Sequence, residues 1–145
     1  MKKTIGLLAL AIGLTSALYA QEQKAVQTMP TREAKAGFAS KFPGATNVKW
    51  EKEGNLFEVG FKQNGKEMSA LFTTSGTLTE TETAIALASL PTGATQYLQQ
   101  HYPGKKVKEA AKIVKADGAI NYEAEIDKTD VLFDASGKFI KEVKD

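Results

Sequence analysis

The chain has 145 residues, with 19 Lys and Arg, 17 Asp and Glu, one His and no Cys, and its formal net charge is +2. The absence of Cys excludes disulfides, thiolate metal sites and cysteine nucleophiles, and a single His excludes a His-rich metal cage. Without the first twenty residues, which contain two lysines, basic and acidic residues balance at 17 each. A general nucleic-acid or anionic-membrane binder is therefore not expected.

The N-terminus has the three-part pattern of a secretory signal peptide. Two lysines precede an apolar run from Ile5 to Leu18, and Ala20 precedes a polar stretch. This run of about fourteen residues is shorter than the roughly 20 that a membrane anchor needs. We predict cleavage after Ala20, with Ala17 as the alternative, so that residues 1–20 are removed. The product is expected in the periplasm or outside the cell, with no membrane insertion.

Beyond residue 30, short motifs occur twice in the same order, about 60 residues apart. They are aromatic-Pro-Gly at 42–44 and 102–104, aromatic-Glu-aliphatic at 57–59 and 122–124, and Leu-Phe with Ser-Gly at 71–76 and 132–137. We predict two copies of one unit, residues 31–86 and 87–145, in one compact domain. Residues 21–30 are predicted to be a flexible lead-in.

Each unit opens with apolar residues at helical spacing. Thr31 and Thr92 are placed to cap the two predicted helices. Both helices should end at Phe42 and Tyr102, because each of these residues precedes a Pro, which disfavours the helical conformation before it. The segment Ala84–Leu90 is predicted to be a short helix or an extended linker.

After each Pro-Gly, apolar and polar residues alternate, which predicts about four short antiparallel strands per unit. Turn signals such as Asn64-Gly65 separate the strands. By this alternation Trp50 lies with Val48 on the core face, whereas a slip of one residue would place it on the open face. The predicted fold class is α+β: a tandem repeat of a helix plus about four antiparallel strands. Both helices are predicted to pack on one face of a single sheet or of two abutting sheets.

This succession of motifs over residues 31–145 resembles the PepSY-like proteins, also described as β-lactamase-inhibitor-like, which Bacteroidetes-type bacteria export. The resemblance implies a tandem helix-plus-four-strand fold with the helices on one side of the sheet, and it implies no enzyme activity. The related β-lactamase inhibitor protein binds another protein through the open face of its sheet. The PepSY domain itself is linked to protease propeptides and protease inhibition. The β-lactamase inhibitors carry disulfides, which this chain cannot form.

Few residues suggest chemistry. His101 would have to serve any Ser-His-Asp hydrolase, but no Gly-x-Ser-x-Gly motif is present, and a His near a helix C-terminus is favoured by the helix dipole. We predict no enzyme activity and no cofactor.

Three acidic residues, Glu123, Glu125 and Asp127, alternate along one predicted strand and would share a face. A calcium site would need more closely clustered oxygens, so we predict no metal and expect cross-strand partners such as Lys108 or Lys112. Glu80 and Glu82 lie in a run of alternating Thr residues, which we interpret as an edge strand protected by charge, with a binding role as the alternative.

The first functional hypothesis is an exported, non-enzymatic binding module that recognises a periplasmic protein or peptide through the open sheet face. Mixed charge on a rigid sheet suits selective recognition of such a partner. The alternative is a carrier of a small molecule or cation, bound in the cleft between the two repeats. The predicted partner-binding residues are Lys49, Glu51, Glu58, Lys62, Glu123 and Glu125.

Overall fold

The computed structural model describes residues 29–144 of the protein. Its elements are α1 (Arg32–Lys41), β1 (Thr46–Glu53), β2 (Leu56–Gln63), β3 (Lys66–Phe72), β4 (Leu78–Ile85), α2 (Thr92–His101), β5 (Glu109–Lys115), β6 (Ile120–Ile126), β7 (Thr129–Asp134) and β8 (Phe139–Lys144). A 3-10 helix at Leu87–Ser89 precedes α2. The predicted signal peptide and most of the predicted lead-in lie outside the described residues. Within those residues, no helix has the length and apolar character needed to cross a bilayer.

All eight strands form one antiparallel sheet, and their order across the sheet is their order along the chain. Asn64 and Gly65 join β2 to β3 with φ angles of 51° and 75°, so the predicted Asn-Gly hairpin turn is confirmed. The central strands β4 and β5 pair from Glu80 opposite Lys115 to Ile85 opposite Ala110. The sheet is therefore continuous through its middle.

Helix α1 begins and ends at the predicted signals. The Thr31 hydroxyl accepts a hydrogen bond of 3.0 Å from the Ala34 N–H, which satisfies a backbone donor of the first turn. At the other end, the Phe42 N–H donates to the Phe38 carbonyl oxygen. Ala34 and Phe38 are buried in a hydrophobic cluster with strand residues Phe57, Val59, Phe61, Ala70 and Phe72.

Helix α2 begins differently from the prediction. Its N-cap residue is Pro91, which provides no side-chain hydrogen bond, and Thr92 is already the first helical residue. The predicted Thr92 cap is therefore wrong by one position. The predicted end at Tyr102 is confirmed. Ala94 and Leu98 are buried in a second cluster with Leu90, Ala110, Ala124, Ile126, Val131 and Phe133.

Each helix approaches a turn between strands through a glycine. A Cβ atom on Gly37 would overlap the carbonyl oxygen of Gly76, between β3 and β4. On α2, a Cβ atom on Gly93 would lie 3.1 Å from the carbonyl oxygen of Gly137, between β7 and β8. The backbones therefore pack closely at both places, and more closely at α1.

The predicted fold class is wrong. The protein is mostly β: among the described residues, a single eight-stranded antiparallel sheet is accompanied by only two helices of ten residues each. It is one continuous sheet and not the predicted α+β fold of two tandem helix-plus-four-strand units. Repeated motifs were interpreted as repeated units, but the β4–β5 ladder joins both halves of the chain through backbone hydrogen bonds. The domain boundary predicted after residue 86 stays a prediction.

The two residues predicted to share the core side of β1 have different environments. Trp50 is half-buried, and its ring lies 5.5 Å from that of Phe38, which confirms its predicted face. Val48, in contrast, is 44% exposed, contrary to prediction. The cause is a β-bulge: Asn47 has a φ of 54°, and the pairing of β1 with β2 shifts at this point.

Candidate binding site

The two faces of the sheet differ in chemistry. The strand residues of both hydrophobic clusters lie on one face, here called the apolar face. Their neighbours along each strand point to the opposite side, here called the open face. Across the open face, one row of paired residues runs Ser69, Glu82, Ile113 and Asn121, and the next runs Ala84, Ala111, Glu123, Leu132 and Lys141.

The open face is concave over its central strands. One cavity of about 620 Å³ is lined by residues that include Leu71, Glu80, Ile113, Leu132 and Ile140. A second cavity of about 320 Å³ is lined by residues that include Ala84, Ala111, Glu125 and Asp130. Both cavities are also lined by Glu82 and Glu123, which therefore lie where the cavities meet. We call these two cavities together the trough.

Glu82 lies at the centre of the trough and is completely buried, with 0% relative exposure. Within residues 29–144, neither of its carboxylate oxygens has a hydrogen-bond partner. Burial raises the pKa of Glu82 well above 4.5, and the nearby Glu123 raises it further. Both effects favour the neutral acid relative to the carboxylate.

Two half-buried acids on the open face, Glu58 and Glu80, also have raised pKa values. Burial is the main cause that raises the pKa of Glu58 to about 7, and Glu51 and Glu53 add repulsion. Burial likewise raises the pKa of Glu80, while Lys115 acts in the opposite direction. Glu80 and Glu82 line the larger cavity together, and perturbed carboxyl groups gathered in one concavity are typical of functional sites.

Three of the predicted binding residues lie at or beside the trough. Glu123 is buried, at 5% exposure, on its floor. Glu125 lines the smaller cavity and lies 3.9 Å from the ammonium of Lys108, which confirms one predicted cross-strand partner. Glu58 pairs across strands with Leu71, which lines the larger cavity.

The other three predicted binding residues lie toward the β1 edge of the sheet and line neither cavity. Lys49 and Glu51 form an ion pair of 2.6 Å with each other, and both side chains are largely exposed. Lys62 lies 3.6 Å from Glu67 on β3. The structure therefore divides the predicted site into an acidic trough and an exposed outer group.

The residue at the centre of the site, Glu82, was singled out in the sequence but was assigned to the wrong place in the sheet. The sequence pattern predicts that Thr77–Thr83 is an edge strand on which Glu80 and Glu82 discourage pairing with another sheet. This prediction is wrong, because β4 pairs with β3 on one side and with β5 on the other. The available signal was position: the fourth of eight sequential strands is central whenever the strands form a meander.

The row of carboxylates predicted on β6 is shorter than expected. Asp127 lies beyond the end of β6, has a φ of 47° and forms an ion pair of 2.7 Å with Lys105. Lys112, the other predicted cross-strand partner, lies opposite Tyr122 on the apolar face. In the described part of the chain, no three His or acidic residues form a group that could hold a metal ion.

His101, the residue considered for hydrolysis, lies at the end of α2 and is exposed. Its ring stacks on Tyr97 with 3.9 Å between centroids. Its Nδ1 atom lies 3.0 Å from the Tyr97 carbonyl oxygen. These contacts are local to α2, and His101 lines neither cavity of the trough.

Comparisons with known proteins identify the fold. No family model and no curated protein matches the sequence. A solved structure described as a periplasmic protein of Bacteroides eggerthii has a TM-score of 0.71 and 13% identity, covering 79% of this chain and 88% of the other. A DUF2874 family protein of Bacteroides uniformis has a TM-score of 0.69 and 15% identity, covering 79% and 89%.

A further similar structure is a BLIP-like protein of Bacteroides fragilis, with a TM-score of 0.64 and 17% identity, covering 84% of this chain and 91% of the other. At these identities the likeness is one of fold alone. The chain therefore has a BLIP-like fold, and the β-lactamase-inhibitor-like part of the resemblance in sequence is confirmed at that level.

Proposed function

We propose that the protein is an exported, non-enzymatic binding module that recognises a protein or peptide through the open face of its sheet. The observation that carries the proposal is the trough, where Glu82 and Glu123 are buried between two cavities on a continuous eight-stranded sheet. Antiparallel pairing on both sides of each central strand makes this floor rigid. A rigid concave surface loses little conformational freedom when a partner binds.

The composition of the trough supports recognition more than catalysis. Leu71, Ile113 and Leu132 are each at most 9% exposed and give it an apolar floor. Acidic side chains lie among them. Apolar surface provides binding free energy, and desolvated charge provides selectivity for a complementary partner. The outer group of Lys49, Glu51 and Lys62 would contact the same partner at the rim.

Export is supported by the N-terminal sequence pattern and by the fold. A relative in fold from Bacteroides eggerthii is described as periplasmic. The finer likeness to PepSY-like proteins would make a protease or its propeptide one class of partner to test. With such a partner, the role of the protein would be inhibitory or regulatory.

The proposal is tested by capture with a blocked trough. Tagged protein would be cross-linked in native periplasmic extract, and its partners would be quantified by mass spectrometry. Ala111→Trp fills the smaller cavity without changing a charge, and Ala39→Trp, on the exposed side of α1, is the matched control. A partner that binds the native protein and the control but not Ala111→Trp would support the trough. Full retention by Ala111→Trp would place the interface elsewhere.

A second candidate function is the transport of a small molecule or cation. The larger cavity, at about 620 Å³, falls within the range of small-molecule sites. A bound ligand would raise the unfolding temperature, because it stabilises the native state alone. A screen of metals and periplasmic metabolites that produces no rise would count against this function.

A further inference from the structure

Glu82 is the least satisfied polar side chain in the trough. It is completely buried, and within residues 29–144 both of its carboxylate oxygens lack a hydrogen-bond partner. A buried carboxyl group in this condition destabilises the folded state, because it has lost water and gained nothing in exchange. Since it lines both cavities, a ligand in the trough reaches the position next to it.

The groups around Glu82 are mainly acidic. Glu123 on β6, Glu58 on β2, Glu80 on β4 and Asp130 on β7 all act on its carboxyl group as negative charges. Lysines are present, but Lys108 is engaged with Glu125, and Lys115 and Lys141 act on Glu80 at the wall of the larger cavity. The charge that the trough would attract is therefore positive.

The walls of the trough indicate what kind of cation fits. Leu71, Ile113 and Leu132 are apolar and largely buried, and Ile140 adds apolar surface to the larger cavity. Such walls suit the methylene stem of a long basic side chain, whose charged head can then reach a carboxylate. A bare metal ion would instead need several ligands, and no group of three or more is present in residues 29–144.

The dimensions of the trough indicate how the cation arrives. The two cavities, of about 620 and 320 Å³, extend to both sides of Glu82 and Glu123. One side chain does not fill both. Residues before and after it on an extended segment would occupy the remaining space.

We propose that the trough binds the guanidinium or ammonium group of an Arg or Lys side chain on an extended segment of the partner, and that Glu82 is its counter-ion. This inference rests on the proposed function and specifies the chemistry of the partner. Binding would convert Glu82 from an unpartnered acid into a carboxylate paired with a buried cation. A charge-assisted hydrogen bond of this kind is among the strong ones.

The test uses a pentapeptide, acetyl-Gly-Ser-Arg-Ser-Gly-amide, and a control peptide in which citrulline replaces the arginine. Citrulline has nearly the same shape and no charge. Isothermal titration calorimetry at pH 7 would compare native protein, Glu82→Gln and Glu33→Gln, the last being an exposed acid on α1. We expect the arginine peptide to bind the native protein and Glu33→Gln alike. Citrulline or Glu82→Gln should each weaken binding by at least about tenfold.

A second readout does not depend on any variant. Because a paired cation favours the ionised form of Glu82, binding should lower its raised pKa, and titrations at several pH values from 5 to 8 should detect the release of protons. Titrations in buffers of different ionisation enthalpy measure this release. Binding of the arginine peptide without proton release would overturn the assignment of Glu82 as its counter-ion.

The outcomes separate this inference from the proposed function. Equal binding of the arginine and citrulline peptides would overturn the cationic inference and leave a peptide-binding surface in place. If the arginine peptide fails to bind while a partner is still captured through the trough, the cationic inference is overturned and the proposed function stands. Agmatine binding as tightly as the peptide would overturn the peptide as occupant in favour of a free organic cation. Loss of both peptide binding and partner capture would overturn both proposals.

Discussion

The centre of the open face is as deeply buried as the core of the apolar face, but the two buried regions differ in chemistry. On the apolar face, Phe57, Phe72 and Phe133 have no exposed surface and lie among other apolar side chains. On the open face, Glu82 is buried to the same extent without any hydrogen bond to its carboxyl group among the described residues. The first arrangement stabilises the fold. The second costs stability, and buried acids that cost stability are typical of functional surfaces.

The largest expected loss of stability comes from a substitution on the apolar face. The Phe38 ring contacts those of Phe42, Trp50, Phe61 and Phe72 at centroid distances of 5.1 to 6.3 Å. Phe38→Ala should therefore destabilise the protein by about 3–5 kcal/mol, as removal of a buried aromatic ring does. Urea unfolding monitored by far-UV circular dichroism measures the change. A loss below 1 kcal/mol would mean that α1 contributes little to the core.

A smaller loss is expected where helix and turn backbones meet. Gly37→Ala places a methyl group onto the Gly76 carbonyl oxygen, so it should cost about 1–3 kcal/mol. Gly93→Ala is the matched control, because its methyl group would meet the Gly137 oxygen at 3.1 Å. Thermal unfolding should show a clearly larger loss for Gly37→Ala. Equal losses would contradict the closer packing of α1.

On the open face, in contrast, replacing a buried residue should stabilise the protein. Glu82→Met replaces an unpartnered buried acid by an apolar side chain of similar length. We expect it to increase the free energy of unfolding by about 1–3 kcal/mol at pH 7, because the penalty for the unsatisfied group is removed. Urea unfolding provides the measurement. A destabilisation of the size expected for Phe38→Ala would show that Glu82 forms stabilising contacts.

The pH dependence of stability should distinguish the faces more finely. The pKa values of Glu58, about 7, and of Glu82 are raised above 4.5, so the folded state binds more protons than the unfolded state. The contribution of these two groups to stability should therefore be fully present below pH 4.5 and be lost as the pH rises through about 7. Urea unfolding from pH 5 to 8 should show this decrease. Glu58→Gln should reduce its slope, and Glu33→Gln should leave it unchanged.

The smallest effect is expected at the outer group of the open face. Lys49 and Glu51 are largely exposed, and an exposed ion pair gains little in water. Lys49→Ala should leave the thermal unfolding midpoint unchanged while weakening capture of a partner that contacts the rim. Unchanged capture would restrict the binding surface to the trough.

Local features of the structure could be predicted from the sequence. The Thr31 cap, the helix ends at Phe42 and Tyr102 and the Asn64-Gly65 turn all depend on interactions between residues within a few positions of one another. Such interactions are encoded in short patterns. These predictions are confirmed.

Predictions that required long-range pairing were wrong. The burial of Glu82 depends on β5, whose paired residues are about 30 positions away in the chain, and no short pattern encodes this pairing. The position of Val48 was predicted wrongly because it lies in the bulge at Asn47, where the pairing of β1 with β2 shifts register. The fold class was wrong for a related reason: repeated motifs report local structure and not how strands join into one sheet.

The candidate site could be predicted only in part, because short patterns do not encode the shape of the sheet. Glu58, Glu123 and Glu125 were selected because strand alternation places them on the open face. Alternation cannot show that the face is concave, and so it could not separate these residues from Lys49, Glu51 and Lys62 at the edge. The distinction depends on the twist and curvature of the whole sheet.

The central claim is that Glu82 is a buried acid in the trough that pairs with a cation of the partner. An NMR titration of the Glu82 carboxyl carbon tests this claim most directly. The spectra would be recorded from pH 4 to 9, with and without the arginine pentapeptide. We predict a pKa well above 4.5 for the free protein and a lower pKa when the peptide is bound. A Glu82 carboxyl group that titrates near 4.5 in the free protein, or is unaffected by the peptide, would contradict the claim.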